Sequence, residues 1–276
     1  MIQFQVFSDS SKGIQVAAQM MYEYIISQPQ GILGLATGNT FIGIYERVLQ
    51  LLNHHHDLDL SKLVTCNLDD YIVNGYSIKE SDLRSFKYYI KKHFFDSLKK
   101  FGFNDDLALF PADVYPSDKK FAWREYLREF DQIVADKGGI DIQFVGIGSK
   151  ESPHVAFCEP NFTTYQNDYN WLEHPSYITE VNEITRMANR FNLGCNGDSE
   201  RVPKMAATMS TGSLYRLVQN TYVLVAFGEN KSIIQPCFET PSEKNPASII
   251  QVLDQKGINC HVICDVAAAK GIENYL

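Results

Sequence analysis

Short apolar segments recur along the whole chain and alternate with segments of helical periodicity. The apolar segments are QFQVF (3–7), GILGLA (31–36), KLVTCNL (62–68), LALF (107–110), IDIQFVGIG (140–148), YVLVAF (222–227) and INCHVIC (258–264). Strands that are buried on both faces give nearly continuous apolar runs of this kind, and intervening helices allow neighbouring strands to run parallel. The pattern therefore predicts an α/β fold: a doubly wound, mostly parallel open sheet with helices on both faces, of the Rossmann-like type.

Apolar residues at helical spacing predict helices over 11–27, 41–53 and 81–99. Ser117, with Asp118 in the first turn behind it, predicts a further helix to about residue 136. The chain has no internal repeat and no linker rich in Pro, Gly or Ser, so residues 1–276 are expected to form a single domain. The segment 161–203 is rich in Asn and Tyr and is the least regular part; we interpret it as a lid or an insertion.

Composition and charge exclude several classes of protein. Hydrophobic residues make up 45% of the chain and the formal net charge is −8, without any run rich in Lys or Arg. Nucleic acid and anionic membrane surfaces need a basic footprint, so neither is expected as a partner. No apolar stretch approaches the length of a membrane span, and the N-terminus MIQFQVFSDSSKG is not a secretory signal. The six cysteines form no CxxC pair, which indicates reduced thiols and a cytoplasmic protein.

In folds of this type ligands bind beyond the carboxyl ends of the strands, so the loops that follow strands are the first candidates for a site. Thr37, Gly38, Asn39 and Thr40 join a strand to a helix. The glycine permits a tight turn, and a helix N-terminus offers free N–H groups to an anion. Threonine and asparagine also cap helices without binding anything, so the loop alone leaves both interpretations open.

Acidic and histidine side chains follow two other strands. Asp69 and Asp70 come after the strand at 62–68, and we expect them to point in different directions because side chains alternate along an extended chain. Such carboxylates can act as a base, hold a metal or cap a turn. His154 and Glu159 follow the strand at 140–148. A histidine exchanges protons near neutral pH, and a carboxylate partner can fix its tautomer.

Basic residues cluster at Arg186, Arg190, Arg201 and Lys204, ahead of the small-residue stretch AATMSTGSL, which reads as helix-like. Basic groups near a hydroxyl-rich loop suit a phosphate, although Arg186 and Arg201 are better explained as ordinary surface charge. The triplet at 54–56 consists of three histidines, and we interpret it as solvated rather than as a metal site.

Taken together, these stretches resemble the glucosamine-6-phosphate deaminase (isomerase) family. LGLATGNT (33–40) resembles its phosphate loop, LGLxTGxTP, and CNLDDY (66–71) resembles its catalytic FNxDEY segment. HVAFCEP (154–160) is similar to HIxFNEP, MANRF (187–191) to ANxRF, and VPKMAATMSTGSL (202–214) to VPKxALTxGxGTL. The motifs occur in the family's order along most of the chain.

The resemblance implies a role for each matching residue. Asp69 would move a proton between C2 and C1 of the opened sugar, His154 would help to open the ring, and Glu159 would orient and tune His154. The implied substrate-binding residues are Thr37, Gly38, Asn39, Thr40, Asp70, Arg190 and Lys204. The resemblance implies no metal and no organic cofactor, and the products would be a ketose 6-phosphate and ammonia.

The sequence departs from the family pattern directly before the histidine. The family has Asn-Gly or Asp-Gly there, whereas this chain has Ser149–Pro153, SKESP, which is two residues longer. Pro153 fixes its own φ and removes a donor, so the loop is expected to follow another path. Glu151 is the candidate for the missing acidic role and is therefore included among the catalytic residues.

The expected function is thus a hexosamine-6-phosphate deaminase/isomerase acting on glucosamine 6-phosphate or galactosamine 6-phosphate. One alternative is the sister branch of 6-phosphogluconolactonases, which are hydrolases with similar phosphate and histidine loops but an ASLFPG-like stretch after the histidine. Another is a sugar-phosphate-binding protein without turnover, which SKESP favours. The sequence leaves open the preferred epimer, any allosteric regulation, and whether the chain is a monomer or a homo-oligomer.

Overall fold

Seven parallel strands form the central sheet of the structure, a computed structural model that describes residues 1–159, 170–192 and 194–274. Its strands are β1 (Gln3–Phe7), β2 (Ile32–Leu35), β3 (Val64–Asn67), β6 (Ala108–Leu109), β7 (Ile140–Gly146), β10 (Val218–Ala226) and β11 (Asn259–Asp265). Their spatial order is β1-β11-β10-β7-β2-β3-β6, and every neighbouring pair is parallel. The predicted α/β class with a parallel sheet is confirmed.

A second sheet of four short antiparallel strands was not predicted. Its strands are β4 (Asp69–Val73), β5 (Tyr76–Ser77), β8 (Tyr177–Glu180) and β9 (Met205–Thr208), in the spatial order β5-β4-β9-β8. Only Leu68 lies between the end of β3 and the start of β4, so one continuous segment contributes a strand to each sheet. The chain thereby passes from the parallel sheet into the antiparallel one at Asp69.

The described helices have the following bounds: α1 (Ser10–Ser27), α2 (Asn39–Leu52), α3 (Phe86–Ile90), α4 (Asp96–Leu98), α5 (Arg128–Asp136), α6 (Glu183–Asn189), α7 (Thr211–Leu217), α8 (Ile234–Phe238) and α9 (Ile249–Gln255). A π-helical turn at Lys91–Phe95 joins α3 to α4, so the predicted helix over 81–99 exists but begins at Phe86. The predicted helices over 11–27 and 41–53 correspond to α1 and α2.

The helix α1 shows how the sequence sets these elements. The Asp9 side chain accepts hydrogen bonds from the main-chain N–H groups of Ser11 (3.0 Å) and Lys12 (3.3 Å), which would otherwise lack partners inside the helix. Met21 and Ile25 then repeat on one buried face at a spacing of four residues. Each such buried side chain stabilises the fold by about 1.5–3 kcal/mol, so this face determines how the helix packs on the sheet.

The helix predicted from Ser117 is wrong in its first half. The helix α5 begins at Arg128, and the residues before it pair with the antiparallel sheet instead. Leu127 N donates to the Ser176 carbonyl (2.6 Å), and Ile178 N donates to the Glu125 carbonyl (2.9 Å). These bonds to β8 and to the residue before it use main-chain groups that a helix would need for its own hydrogen bonds. No helix therefore begins at Asp118.

The stretch AATMSTGSL is only partly helical. Its first residues form the strand β9, and the helix α7 begins after Ser210, whose hydroxyl accepts a hydrogen bond from Ser213 N (2.7 Å). In the irregular segment 161–203, residues 161–169 and 193 lie outside the described residues, as does Pro160 of the HVAFCEP motif. The described remainder contains β8 and α6, so it is more regular than the sequence indicated.

Among the described residues, no helix is both long and apolar enough to cross a membrane.

Candidate active site

A cavity of about 380 Å³ opens at the carboxyl ends of β2, β7 and β10, which are neighbouring strands of the parallel sheet. The start of β4 and one face of α6 complete its wall. The loops after the three parallel strands contribute most of its polar groups. This is the position at which an open parallel sheet binds small molecules.

The loop after β2 presents the N-terminus of α2 to this cavity. Gly38 has φ +120°, a conformation that favours glycine, and no atom lies within 4 Å of the position that a Cβ would take. Two tyrosines hold the loop in place: Tyr89 Oη donates to the Gly38 carbonyl (2.7 Å) and Tyr45 Oη to the Ala36 carbonyl (2.5 Å).

No described side chain caps α2, so its first N–H groups can receive an anion. Thr37, Asn39 and Thr40 also line the cavity.

Asp69 is the first residue of β4 and lines the cavity. Only 7% of its surface is exposed. Burial raises the pKa of Asp69 well above its ordinary value, and the neighbouring charge of Asp70 raises it further. A carboxyl in this environment binds a proton strongly, which suits a group that takes a proton from carbon.

Asp70 points away from the cavity, as the alternation of side chains along a strand requires. Its carboxylate accepts hydrogen bonds from Ser85 Oγ (2.8 Å), Phe86 N (2.9 Å) and Lys87 N (3.1 Å). Burial raises the pKa of Asp70 to about 6, against the effect of these bonds. Asp70 therefore anchors the start of α3 and does not reach the space where a substrate would lie.

A small hairpin carries His154 to the cavity. Gly148 N donates to the His154 carbonyl (2.9 Å), and Ser152 N donates to the Ser149 carbonyl (3.0 Å). The two extra residues of SKESP are therefore accommodated in the turn, and Glu151 at its tip is exposed and does not line the cavity. A Cβ at Gly148 would lie 2.4 Å from His154 Nδ1, so the imidazole packs directly on the glycine.

The environment of His154 favours its neutral form. Burial lowers the pKa of His154 to about 4, and the positive charge of Lys231 acts in the same direction, whereas the main chain of Ser152 opposes them. A neutral imidazole carries one N–H donor and one acceptor nitrogen. Near neutral pH this side chain can therefore accept a proton from one substrate atom on its free nitrogen and return it to another.

Glu159 follows His154 closely in sequence but lies elsewhere. A tight turn separates them, in which Cys158 N donates to the Val155 carbonyl (3.0 Å) and Ala156 has a left-handed φ of 53°. Glu159 Oε2 accepts a hydrogen bond from Asn182 N (3.0 Å), and burial raises the pKa of Glu159 to about 7. It lines a separate cavity of about 40 Å³. In the described part of the chain no hydrogen bond joins it to His154.

Comparison with known proteins gives the family. The curated glucosamine-6-phosphate deaminase of Clostridium acetobutylicum is 32% identical to this chain over 268 residues, which cover 95% of this chain and 97% of that protein. The chain belongs to the glucosamine-6-phosphate deaminase family. No family model matches the sequence.

Solved structures show that the fold is shared by this family and a neighbouring one. A monomeric glucosamine-6-phosphate deaminase superposes with a TM-score of 0.75 at 24% identity, covering 97% of this chain and 98% of that one. The 6-phosphogluconolactonase of Trypanosoma brucei superposes with a TM-score of 0.67 at 14% identity, covering 100% of this chain and 99% of that one. At these identities the superpositions establish the fold alone.

Arg190 and Lys204, which the resemblance led us to expect at the phosphate, are not among the described residues that line the cavity. The Arg190 guanidinium stacks over the Phe191 ring at 4.4 Å and donates to the Met187 carbonyl. Lys204 Nζ pairs with Glu200 at 3.0 Å, and its side chain is 64% exposed. Neither residue is brought together with Asp69 and His154.

Lys231 lines the cavity and was missed by sequence reasoning. It follows β10 in the stretch FGENKS, and a lysine shortly after a strand of the parallel sheet was the available signal. The helix α6 also contributes Asn189, and the loop after it contributes Asn192. Neither asparagine stood out in the sequence, because the strand and helix that place them lie in the segment interpreted as irregular.

The histidine triplet has no part in the site. His54 and His56 are exposed, and His55 Nε2 forms a hydrogen bond with Tyr22 Oη (2.6 Å). No cluster of three potential ligands among His, Cys, Asp and Glu occurs within the ranges that the structure describes.

Proposed function

We propose that this chain is a hexosamine-6-phosphate deaminase that converts glucosamine 6-phosphate, with one water, to a ketose 6-phosphate and ammonia. The observation that carries the proposal is the convergence of three groups on one cavity: the N-terminus of α2, His154 and Asp69. The family membership supports the same substrate class. Such a reaction needs proton transfer at carbon and at oxygen. The carboxylate of Asp69 suits the first, and the neutral imidazole of His154 suits the second.

The first step in the proposal is binding of the phosphate at the loop of Thr37–Thr40. Main-chain N–H groups of a helix N-terminus and the threonine hydroxyls suit the phosphate oxygens. The phosphate is remote from the reacting carbons C1 and C2. Its binding energy therefore positions those carbons against the catalytic groups without itself taking part in bond changes.

The second step is opening of the sugar ring at the ring oxygen by His154. The acceptor nitrogen of the neutral imidazole takes the proton of the C1 hydroxyl as the bond between C1 and the ring oxygen breaks, and the imidazolium so formed gives that proton to the ring oxygen, which yields the open-chain aldehyde. Burial keeps the pKa of His154 near 4, so the ring begins in the neutral form at physiological pH. The hairpin Gly148–His154 fixes the direction in which the imidazole points.

The third step is proton transfer by Asp69 from C2 to C1. The C2–H bond breaks and that proton is added at C1, while the C2 amine loses an N–H proton as it becomes an imine and the C1 carbonyl oxygen gains a proton as it becomes a hydroxyl. Water then adds to C2, the C–N bond breaks, and ammonia leaves behind a C2 ketone. Because burial raises the pKa of Asp69, its carboxylate is a stronger base than an exposed aspartate would be.

Glu159 acts in this proposal through the backbone rather than by contact with the imidazole. Its bond to Asn182 N ties the loop that follows His154 to the start of α6. That link holds two walls of the cavity together.

We also propose that the protein acts in the cytoplasm on this small-molecule substrate. All six cysteines are buried thiols, a state that a reducing compartment maintains.

Ammonia release from a panel of phosphates tests the proposed function. The purified chain is incubated separately with glucosamine 6-phosphate, galactosamine 6-phosphate and 6-phosphogluconolactone. We expect ammonia and a ketose 6-phosphate in equal amounts from at least one hexosamine phosphate, and the better substrate identifies the preferred epimer. Hydrolysis of the lactone without ammonia release from either hexosamine would instead assign the chain to the lactonase activity.

A further inference from the structure

The small cavity at Glu159 lies next to the main one. The segment Phe157–Glu159 separates them, because Phe157 lines the main cavity whereas Cys158 and Glu159 line the small one. Burial raises the pKa of the Cys158 thiol to about 12, and the nearby charges of Asp69 and Glu159 raise it further. The base of the main cavity and the carboxyl of the small one are thus both near this thiol, so ammonia leaving C2 would be released beside the small cavity.

Glu159 brings a carboxyl oxygen without a partner to the small cavity. The residue is only 4% exposed. Its Oε2 accepts the bond from Asn182 N, whereas its Oε1 has no hydrogen-bond partner within the described residues. A buried carboxylate oxygen that accepts no hydrogen bond is costly, and a ligand with hydrogens to donate removes that cost.

Three polar side chains of the lining have already used their hydrogens. The thiol of Cys158 and the hydroxyls of Ser210 and Thr211 each donate to a main-chain carbonyl, at 3.2 Å for Cys158 and 2.8 Å for Thr211. Each of these groups carries one hydrogen, so none of the three can donate into the cavity. The lining therefore favours a ligand that donates hydrogen bonds over one that accepts them.

The charge and the size of the cavity restrict the ligand further. The exposed Glu243 adds a second carboxylate to the lining, and no lysine or arginine is among the described residues that line it. The volume of about 40 Å³ is close to the share of one water molecule in the liquid, about 30 Å³. An ammonium ion has this size, carries a positive charge and offers only N–H donors.

We propose that the small cavity at Glu159 is an ammonium site and that it takes up the ammonia released by the deamination. The uptake of product rests on the proposed function; the cation site itself rests on the cavity. Ammonia leaves C2 as a neutral amine, which is a stronger base than a carboxylate. It takes the proton of the Glu159 carboxyl, and the ammonium ion so formed donates to Oε1 of the resulting carboxylate. Since burial raises the pKa of Glu159 to about 7, the acid and the carboxylate are both present near neutral pH.

The fluorescence of Trp171, which lines the small cavity, reports the binding of ammonium. The chain has two tryptophans, and Trp123→Phe removes the other one, which is exposed. Ammonium chloride is titrated against choline chloride at constant ionic strength, because choline is too large for the cavity. We expect a saturable change with ammonium and none with choline. Absence of any saturable change would overturn the proposal.

Potassium chloride is the control for charge and size without hydrogen bonds. Potassium is a small monovalent cation that donates no hydrogen bond, so we expect half-saturation at a concentration about tenfold or more above that of ammonium. Half-saturation at the same concentration would overturn the assignment of the site to ammonium.

Glu159→Gln and Asp69→Asn form a matched pair in the Trp123→Phe background, because each neutralises one of the two carboxyls near Cys158. We expect Glu159→Gln to weaken ammonium binding about 10- to 100-fold. Asp69→Asn changes the main cavity and should alter the affinity less than about threefold. A loss of affinity in Asp69→Asn instead of Glu159→Gln would locate the ion in the main cavity and overturn the proposal.

The pH dependence of ammonium binding needs no substitution at Glu159. Only the carboxylate form holds the ion, so the affinity should rise about tenfold between about pH 6 and about pH 8. The other titratable groups around Glu159 are Cys158, His174, Tyr177 and Glu243 on the lining, Asp69 near Cys158, and Glu183 at the start of α6. A protonated His174 would repel the ion and acts in the same direction. An affinity that stays constant would contradict the proposal even if Glu159→Gln fails to fold.

Product inhibition connects the site with the reaction. Added ammonium should inhibit turnover of glucosamine 6-phosphate, and Glu159→Gln should raise the inhibition constant by the factor by which it weakens binding. An unchanged inhibition constant would overturn the uptake of product at this site. Ammonium binding that depends on Glu159 in a chain that releases no ammonia would reject the proposed function while leaving the cation site intact.

Discussion

The two sheets contribute to the cavity in different ways. The parallel sheet presents loops: the turn at Gly38, the hairpin that ends at His154 and the turn at Lys231 each follow a strand end. The antiparallel sheet presents a strand, and Asp69 faces the cavity as a member of β4, paired with Thr208 of β9. Side chains on the loops can be moved by local changes in the turn, whereas Asp69 is fixed by the register of the strand pair.

This difference explains where the chain departs from its family and where it does not. The two extra residues before His154 are accommodated by a hairpin closed through Gly148 and Ser149, and the imidazole still reaches the cavity. An insertion of one residue in β4 would exchange Asp69 with Asp70, because a one-residue shift reverses the faces of a strand. The loop side of the site thus tolerates changes in length that the strand side does not.

Gly148→Ala tests the loop side and has the largest effect expected of a change in the loops. A Cβ would lie 2.1 Å from the Ser152 carbonyl oxygen and 2.4 Å from His154 Nδ1, so the hairpin and the imidazole must move. Misplacement of a catalytic group by about 1 Å costs about 10²-fold, and we expect kcat/KM for glucosamine 6-phosphate to fall by about that factor. At Gly146 a Cβ would meet only Phe41 Cε2 at 3.5 Å, so Gly146→Ala should cost far less. Equal losses in both variants would refute a special role for the hairpin.

Glu159→Gln tests the contact between the histidine loop and α6 by its pH dependence. The folded chain raises the pKa of Glu159 from 4.5 to about 7, so between these values the native state binds a proton that the unfolded chain has lost. Stability contributed by this group therefore falls as the pH rises. As the pH rises from about 5 to about 8, the free energy of unfolding of the variant should therefore increase by about 2 kcal/mol relative to that of the wild type. Denaturant titrations at both pH values would show this, and a constant difference would contradict it.

Asp70→Asn tests the strand side. An asparagine keeps one acceptor oxygen for the start of α3 but puts an NH2 group in the place of the other, which accepts from groups such as Ser85 Oγ and Lys87 N, so we expect a loss of about 1 kcal/mol in the free energy of unfolding. Removal of the negative charge also lowers the pKa of Asp69, since the two carboxyls repel each other. The acid limb of the kcat/KM profile should move to lower pH. A limb that moves to higher pH would mean that Asp69 is not the group that titrates.

Glu151→Gln has the smallest expected effect. Glu151 was a catalytic candidate from sequence because it stands in the altered loop, but it is exposed at the tip of the hairpin and does not line the cavity. We expect kcat and KM to change less than about twofold, as for most exposed side chains. A loss of an order of magnitude in kcat would show that the tip turns inward when substrate is bound.

The parallel sheet could be predicted because its strands are buried on both faces and leave continuous apolar runs such as FVGIG or YVLVAF. The antiparallel strands could not, because they are short and their partners lie far apart in sequence; Asp69 and Thr208 are an example. Main-chain bonds from distant residues also decided the conformation around Glu125, where local signals favoured a helix.

The same limit applies to the site. Thr37, Asp69 and His154 could be found because each stands in a motif beside a strand end. The partner of Glu159 could not, because Asn182 reaches it from a helix whose position depends on the whole fold. To find Lys231 one must know which strands are neighbours, since β7 and β10 are adjacent in space but are separated in the chain by β8, α6, β9 and α7.

Turnover of glucosamine 6-phosphate by the wild type and by Asp69→Asn, with ammonia and ketose 6-phosphate measured together, tests the role of the buried strand carboxylate most directly. We predict equal yields of the two products from the wild type, a loss of about 10²- to 10⁴-fold in kcat for the variant, and retained binding of the sugar phosphate. Ammonia release by Asp69→Asn at a rate close to that of the wild type would contradict the assignment of Asp69 as the base.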